Sequence, residues 1–324
     1  MSSLPSIQVF PLEIEETTTS AKVITIIQMI YGIPSFLLLI IFLIFLGCSK
    51  NYKNSFYRLV QLDLLTNIFC YINNWISLRF EKIQTGVQIQ KSIESTLPGL
   101  LDWSNALTSF FQHMQFCSAI VLSLHRITSV KFVFKSEKFW LRFYPLYYLI
   151  CIIYSTLLMQ FSGKTYFISV INGTLTATRH VDLTIRAFSL TAFYSVIYFF
   201  LLLIIGLYAA YSVSKKIRTM NADDRGVSKK LTKIALTYCT IYAGILLWSV
   251  LVFLNTIIPW QPVIIADNTF IIWLFAFDMM IIALPYILLI FDMNVRRDVM
   301  QMFKRQSSGE ASLVFVSANS AVQS

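Results

Sequence analysis

The chain has 324 residues, 56% hydrophobic and only 13% charged, with a formal net charge of +10. An ordinary soluble domain carries about 25% charged residues, so this composition excludes one and points to a membrane protein. The segments outside the apolar runs reach only about 25 residues, which leaves no room for a separate soluble domain.

Residues 1–22 carry Glu13, Glu15 and Glu16 and a threonine run, with no basic n-region. They read as a short outer tail ahead of a signal anchor rather than a cleaved signal peptide. Seven long apolar stretches follow, at 23–48, 56–80, 101–130, 140–162, 187–213, 231–258 and 269–291. Each exceeds the roughly 20 residues a helix needs to cross the hydrocarbon layer. The expected fold is an all-α membrane protein, a seven-transmembrane helix bundle over residues 23–291. An odd number of crossings puts the two termini on opposite sides. With the N-terminus outside, 19 of the 26 lysines and arginines fall on the inner side and seven on the outer side. That asymmetry places the N-terminus outside and the C-terminus inside. It also accounts for the net charge through topology and anionic inner-leaflet lipid, with no nucleic-acid partner required.

The first span contains Tyr31-Gly32-Ile33-Pro34-Ser35, where the proline frees a carbonyl one turn back. The second is the most polar, and its Asp63, Asn67 and Asn74 share one helical face that must turn away from lipid. The third carries Ser104, Asn105, Gln112, His113 and Gln115 and ends at His125-Arg126. The fourth and fifth are nearly free of charge and rich in tyrosine. Between them Asn172-Gly173-Thr174 is the chain's single glycosylation sequon, on the side already assigned to the outside. The sixth runs from Lys229-Lys230 to Pro259-Trp260, and the seventh holds Asp278 and Pro285-Tyr286. In 292–305, Val295, Val299 and Phe303 repeat every four residues among Arg296, Arg297, Lys304 and Arg305, the pattern of an amphipathic helix lying on the bilayer. Residues 306–324 are Ser/Ala-rich and read as a disordered cytoplasmic tail. The five cysteines lie in or beside the spans and none in an outer loop, so free, buried thiols are expected and no disulfide.

Asp63 and Asp278 are the acids near mid-membrane, and an ionised carboxylate there costs at least about 2.5–3.5 kcal/mol on insertion scales. A polar contact in a ligand cavity is the functional reading for Asp278, and a switch network for Asp63. The bland alternative is a neutral hydrogen bond to neighbouring Asn, Ser or Tyr side chains. Asn74 and His113 are further candidates for the cavity, although a lone histidine is more often a packing residue. Arg126 reads most simply as an arginine snorkelling at the interface. No zinc-protease, hydrolase-elbow, phosphate-loop or metal-ligand spacing occurs, so neither an enzyme nor a cofactor is expected.

Several segments resemble one family. Tyr31-Gly32-Ile33-Pro34-Ser35, the run from Asn54 through Arg58 and Asp63 to Asn67, and Tyr71-Ile72-Asn73-Asn74-Trp75 through Arg79 are similar to the nematode serpentine receptor class gamma family. Leu124-His125-Arg126 and Pro285-Tyr286 fit the same pattern. The resemblance implies a chemosensory receptor in the plasma membrane, with a sensory cilium as one location, that relays a small-molecule ligand to a heterotrimeric G protein. Asp63, Asn67, Arg126, Pro285 and Tyr286 are the switch candidates. Lys215, Lys216, Arg218, Lys229 and Lys230, with Arg126, form the candidate G-protein face. Arg126 matches the arginine that ends the third helix in such receptors, but its usual acidic neighbour is His125 here. Leu284 stands where asparagine is common, and Trp248 lacks a proline two residues on. The alternative is a small-solute transporter or ion channel, with Asp63, Asn67, Asn74 and Asp278 lining a path; the absence of an internal repeat weighs against it. A retinal-binding opsin would need a lysine in 269–291, and there is none. An insect-type odorant channel would place the N-terminus inside. Nothing in the sequence specifies an oligomeric state.

Overall fold

The computed structural model describes residues 7–12, 17, 19–162, 166–217, 233, 236–237, 240–244, 246 and 263–307. Six of the seven expected spans are helices there: α1 (Thr19–Cys48), α2 (Ser55–Asn74), α4 (Leu100–Lys131), α5 (Val133–Ser162), α6 (Val181–Ile217) and α7 (Val263–Phe291). The sixth span lies mostly outside the described residues, but its Tyr242 and Leu246 are fully buried in the shared core. Two further helices lie outside the spans, α3 (Gln84–Thr96) and α8 (Met293–Ser307).

Among the described residues, α1, 135–161 of α5, 189–209 of α6 and 274–291 of α7 are long and apolar enough to cross a membrane alone. α2 and α4 are more polar, and they cross by turning those side chains towards each other. Asn73 Nδ2 donates to the Ser104 carbonyl at 3.0 Å, and Ser104 Oγ returns a bond to Asn73 Oδ1 at 3.0 Å. Internal pairing of this kind removes the cost of polar atoms in hydrocarbon. The lipid side is apolar instead, with Ile44, Ile150, Ile153, Ile204 and Leu207 all exposed.

Two contacts settle how the first and last spans run. Tyr31 meets Asp278, and four residues further along α1 Ser35 meets Tyr286 of α7. Partners advance in the same direction on both helices, so α1 and α7 are parallel, as an odd number of crossings requires. The two ends are equally consistent. On one, β1 (Ile7–Pro11) pairs antiparallel with β3 (Thr174–His180), which pairs with β2 (Tyr166–Ile171) in the order β1-β3-β2. The N-terminal tail and the sequon loop therefore share a face. On the other, Tyr52 in the loop after α1 contacts α8.

The β2–β3 turn is Asn172-Gly173, with φ of 51° and 78°. Two successive positive φ values make the type I′ hairpin turn that Asn-Gly favours. Beneath the sheet, Ile168 and Leu175 pack on Val87 of α3 and Leu101 of α4. Asp102 accepts from the Ile168 N–H at 2.7 Å, and Glu94 accepts from Gly99 N–H at 2.6 Å, which covers donors at the start of α4. Of the described cysteines all are free; Cys70 is buried, Cys117 and Cys151 are half-buried, and Cys48, at the end of α1, is exposed, so the expectation of buried thiols holds fully only for Cys70. Leu46 of the same turn is buried in the core, so Cys48 is exposed because it points to the opposite side of the helix end.

Candidate functional site: three buried polar clusters

The outer cluster is built on a break in helical regularity. α2 passes at Trp75–Arg79 into a π-helical turn. In an α-helix, residues five apart point about 140° from each other. The wider π turn brings them close to the same face. Arg79 thus follows Asn74 into the bundle rather than pointing into the loop, and both are buried. The Arg79 guanidinium pairs with Asp278 through Nη2 and Oδ1. It lies over the Trp75 and Tyr71 rings, 5.1 and 5.6 Å from their centroids. Both contacts are within cation–π range and favour the cation at this place. The second oxygen of Asp278 accepts from the Tyr31 hydroxyl. Three helices meet at this carboxylate. Gly32 is part of the arrangement, since a Cβ there would run into the Tyr71 hydroxyl.

At mid-bundle Asn67 joins α2 to α4. Its Nδ2 donates to Asp63 Oδ2 at 3.1 Å, and its Oδ1 accepts from Gln115 Nε2 at 2.8 Å. All three residues are fully buried. His113 sits in a separate aromatic group, with Nδ1 2.9 Å from the Tyr198 hydroxyl and Tyr198 in turn 2.9 Å from that of Tyr154. Tyr194 packs edge-on to the same imidazole. Phe116 links this group to the sixth span, stacking on Tyr198 and meeting Tyr242 edge-on.

At the inner end, Ser55 opens α2 and holds two other elements. Its Oγ donates to Glu137 Oε2 at 2.6 Å, its backbone N–H donates to Oε1 at 2.7 Å, and His125 Nε2 lies 2.7 Å from the same Oγ. A hydroxyl has one proton; Glu137 receives it, so His125 is the donor to Oγ and carries its proton on Nε2. The Arg126 guanidinium lies 5.0 Å over the Phe56 ring. Beside this, Asp292 accepts from the Asn294 and Val295 N–H groups, each at 3.2 Å, and so caps α8. Its other oxygen accepts from the Tyr57 hydroxyl at 2.7 Å. Tyr52 donates to Asp298 of α8 at 2.9 Å, and burial together with that bond raises its phenol well above the ordinary range.

The family model described as Srg family chemoreceptor matches residues 25–299, most of the chain. The chain belongs to the Srg chemoreceptor family. Among curated relatives, serpentine receptor class gamma-47 of Caenorhabditis elegans is 33% identical over 298 residues, covering 91% of this chain and 95% of that protein. Serpentine receptor class gamma-53 of the same organism is 30% identical over 276 residues, 84% of this chain and 90% of the relative. Among solved structures, squid rhodopsin superposes with a TM-score of 0.65 over 93% of this chain and 91% of its own, at 12% identity. At that identity the likeness concerns the fold, and it supports the seven-helix, receptor-like bundle.

In this Srg receptor the residues singled out by sequence fall into different clusters. Asp278 and Asn74 belong to the outer half of the bundle around α2 and α7, whereas His113 faces Tyr154, Tyr194 and Tyr198 of α5 and α6. Asp63 and Asn67 share the central group, and Arg126 stands at the inner end. Pro285 is buried, and Tyr286, though exposed, reaches Ser35 at 2.9 Å. Lys215 is exposed at the end of α6, which also contains Lys216; Arg218, Lys229 and Lys230 lie outside the described residues. Asn172 is exposed at the hairpin tip.

Residues that sequence reasoning did not single out include Tyr31, Ser35, Arg79, Ser55, Glu137, Tyr57 and Asp292. Arg79 counted among the outer charges because it stands at the outer end of the second apolar stretch. Tyr31 and Ser35 carried a usable signal, since two hydroxyls four residues apart on an apolar helix ask for a polar partner helix. Glu137, from another helix, engages His125 by way of Ser55, while the Arg126 guanidinium lies over Phe56.

Proposed function

We propose that this Srg chemoreceptor binds a small molecule in the outer half of its bundle and couples that event to a heterotrimeric G protein on the inner face, in the plasma membrane. One observation carries the reading: α7 is buried at both levels. Near its outer half Asp278 joins α1 and α2, and immediately after its inner end Asp292 caps α8 and holds Tyr57. A ligand that alters the contacts of Asp278 therefore acts on an element that also organises the inner surface. Differential affinity for two arrangements of such an element is what a ligand switch requires. Asn74 and His113 are assigned to the ligand region, and Asp63, Asn67, Pro285 and Tyr286 to the transmitting core. Arg126, Lys215, Lys216, Arg218, Lys229 and Lys230 are assigned to the G-protein face, and Asn172 to glycosylation.

The test is a small-molecule screen in a heterologous cell with a G-protein readout, repeated with Arg126→Ala. Ligand-dependent signalling lost in the variant, at unchanged surface expression, is expected. Undiminished responses in Arg126→Ala would remove its switch role, and a ligand-dependent current from the purified, reconstituted protein would favour a channel instead.

A further inference from the structure

The outer cluster has a directional imbalance. Asp278 has both oxygens engaged, one by Arg79 and one by Tyr31. Arg79 is only 3% exposed, yet among the described residues its Nε and Nη1 have no hydrogen-bond partner. A guanidinium has five N–H donors, and three of them sit on those two atoms. One π-helical turn earlier, Asn74 is fully buried and neither its Nδ2 nor its Oδ1 is bonded among the described residues. Buried donors left without acceptors are costly, and those on a charged group most of all. The Tyr71 and Trp75 rings meanwhile hold the guanidinium in place. The spare capacity of the site is thus for an acceptor-rich, negatively charged group held against a fixed cation. A cationic ligand would find Asp278 fully committed.

Resting on the ligand-binding reading above, we infer that the recognised ligand carries an oxyanion, a carboxylate in the simplest case, that binds the unspent donors of Arg79 with Asn74 as its amide partner and competes with Asp278 for the guanidinium. Charge-assisted, multi-point recognition of carboxylates is what arginine does better than lysine. Binding would loosen the hold of α2 on α7 at Asp278, which ties recognition to the element proposed to transmit it.

The experiment needs no G protein, so it separates this inference from the coupling proposal. The full-length receptor in lipid nanodiscs is melted in the presence of a fragment set. Each scaffold is offered as carboxylate, primary amide and primary amine; phenylacetate, phenylacetamide and phenethylamine form one such triplet. Stabilisation confined to carboxylates is expected. It should weaken by about tenfold to a hundredfold in apparent affinity in Arg79→Gln, as expected for loss of a charged hydrogen-bonding partner. Asp278→Asn should keep or strengthen it, because the competitor is gone. Since Arg79→Gln leaves Asp278 buried without its cation, the paired variant Arg79→Gln/Asp278→Asn serves as a neutral, folded control and should not respond to acids. No stabilisation by any carboxylate, equal stabilisation by amides, or hits among amines that vanish in Asp278→Asn would each overturn the inference. Carboxylate binding without any G-protein response would leave it standing and sink the coupling proposal instead.

Discussion

Replacing Ser55 with alanine tests whether the inner cluster restrains the receptor. The substitution removes the Oγ bonds to Glu137 at 2.6 Å and His125 at 2.7 Å but keeps the backbone bond from residue 55 to Glu137. The bond to Glu137 involves a charged acceptor, worth about 1.5–3 kcal/mol, and the Nε2 of buried His125 also loses its partner. A net loss of about 2 kcal/mol is a factor of about thirty in an equilibrium constant. If the network forms only in the resting arrangement, an active population of about 0.1% rises to about 3%. Ligand-independent G-protein output should therefore increase by about thirtyfold at matched surface expression. A thiol-reactive dye melt on a Cys48→Ser background, reading exposure of thiols inside the bundle such as buried Cys70, should show a lower transition temperature in the same variant. The decisive comparison is between the two readouts. Loss of stability with unchanged basal output would mean that Ser55, His125 and Glu137 only hold the fold together, and the restraint would be refuted.

Gly32→Ala should destabilise the bundle by about 1–3 kcal/mol, the usual cost of overpacking, and Tyr71→Phe should recover part of it by removing the hydroxyl that the new methyl meets; melting of the single and double variants checks both. Asp292→Ala should cost about 1 kcal/mol for the lost cap of α8, with more for the Tyr57 bond; a spin label on α8 should report a more mobile helix, and an unchanged spectrum would count against the cap. Asn172→Gln should abolish an electrophoretic shift that peptide N-glycosidase removes from the native chain, since the asparagine stands at an exposed hairpin tip; no shift in the native chain would show that the sequon is unused.

Much of the bundle was legible because the signal for a membrane span is local and additive. The polar stripe of Asp63, Asn67 and Asn74 had to face inward, and all three are fully buried. The amphipathic helix after the seventh span follows from the four-residue repeat of Val295 and Val299, which pack into the core. The outer sheet is a different case. Asn172-Gly173 stood out only as part of a sequon, although Asn-Gly is also a hairpin signal, and the pairing of β1 with β3 joins segments some 170 residues apart, as in Ile7 with His180. No local pattern announces that.

The candidate site was legible only in its acids and amides. Asp278 stood out through its cost in a membrane, yet its partner was hidden, because a π-helical turn redirects Arg79 and leaves no trace in a 3.6-residue periodicity. His125 stood out as the residue in place of an acid beside Arg126, but its link to Glu137 at the start of α5, by way of Ser55, was not legible. By itself, then, the sequence determined the number of crossings, their orientation and which faces avoid lipid, since transfer free energy and the inner excess of basic residues depend on composition along one helix at a time. The tertiary structure alone decided which buried group meets which. Those pairings depend on the rotation and register of separate helices, and here on one widened turn that brings a cation into the bundle.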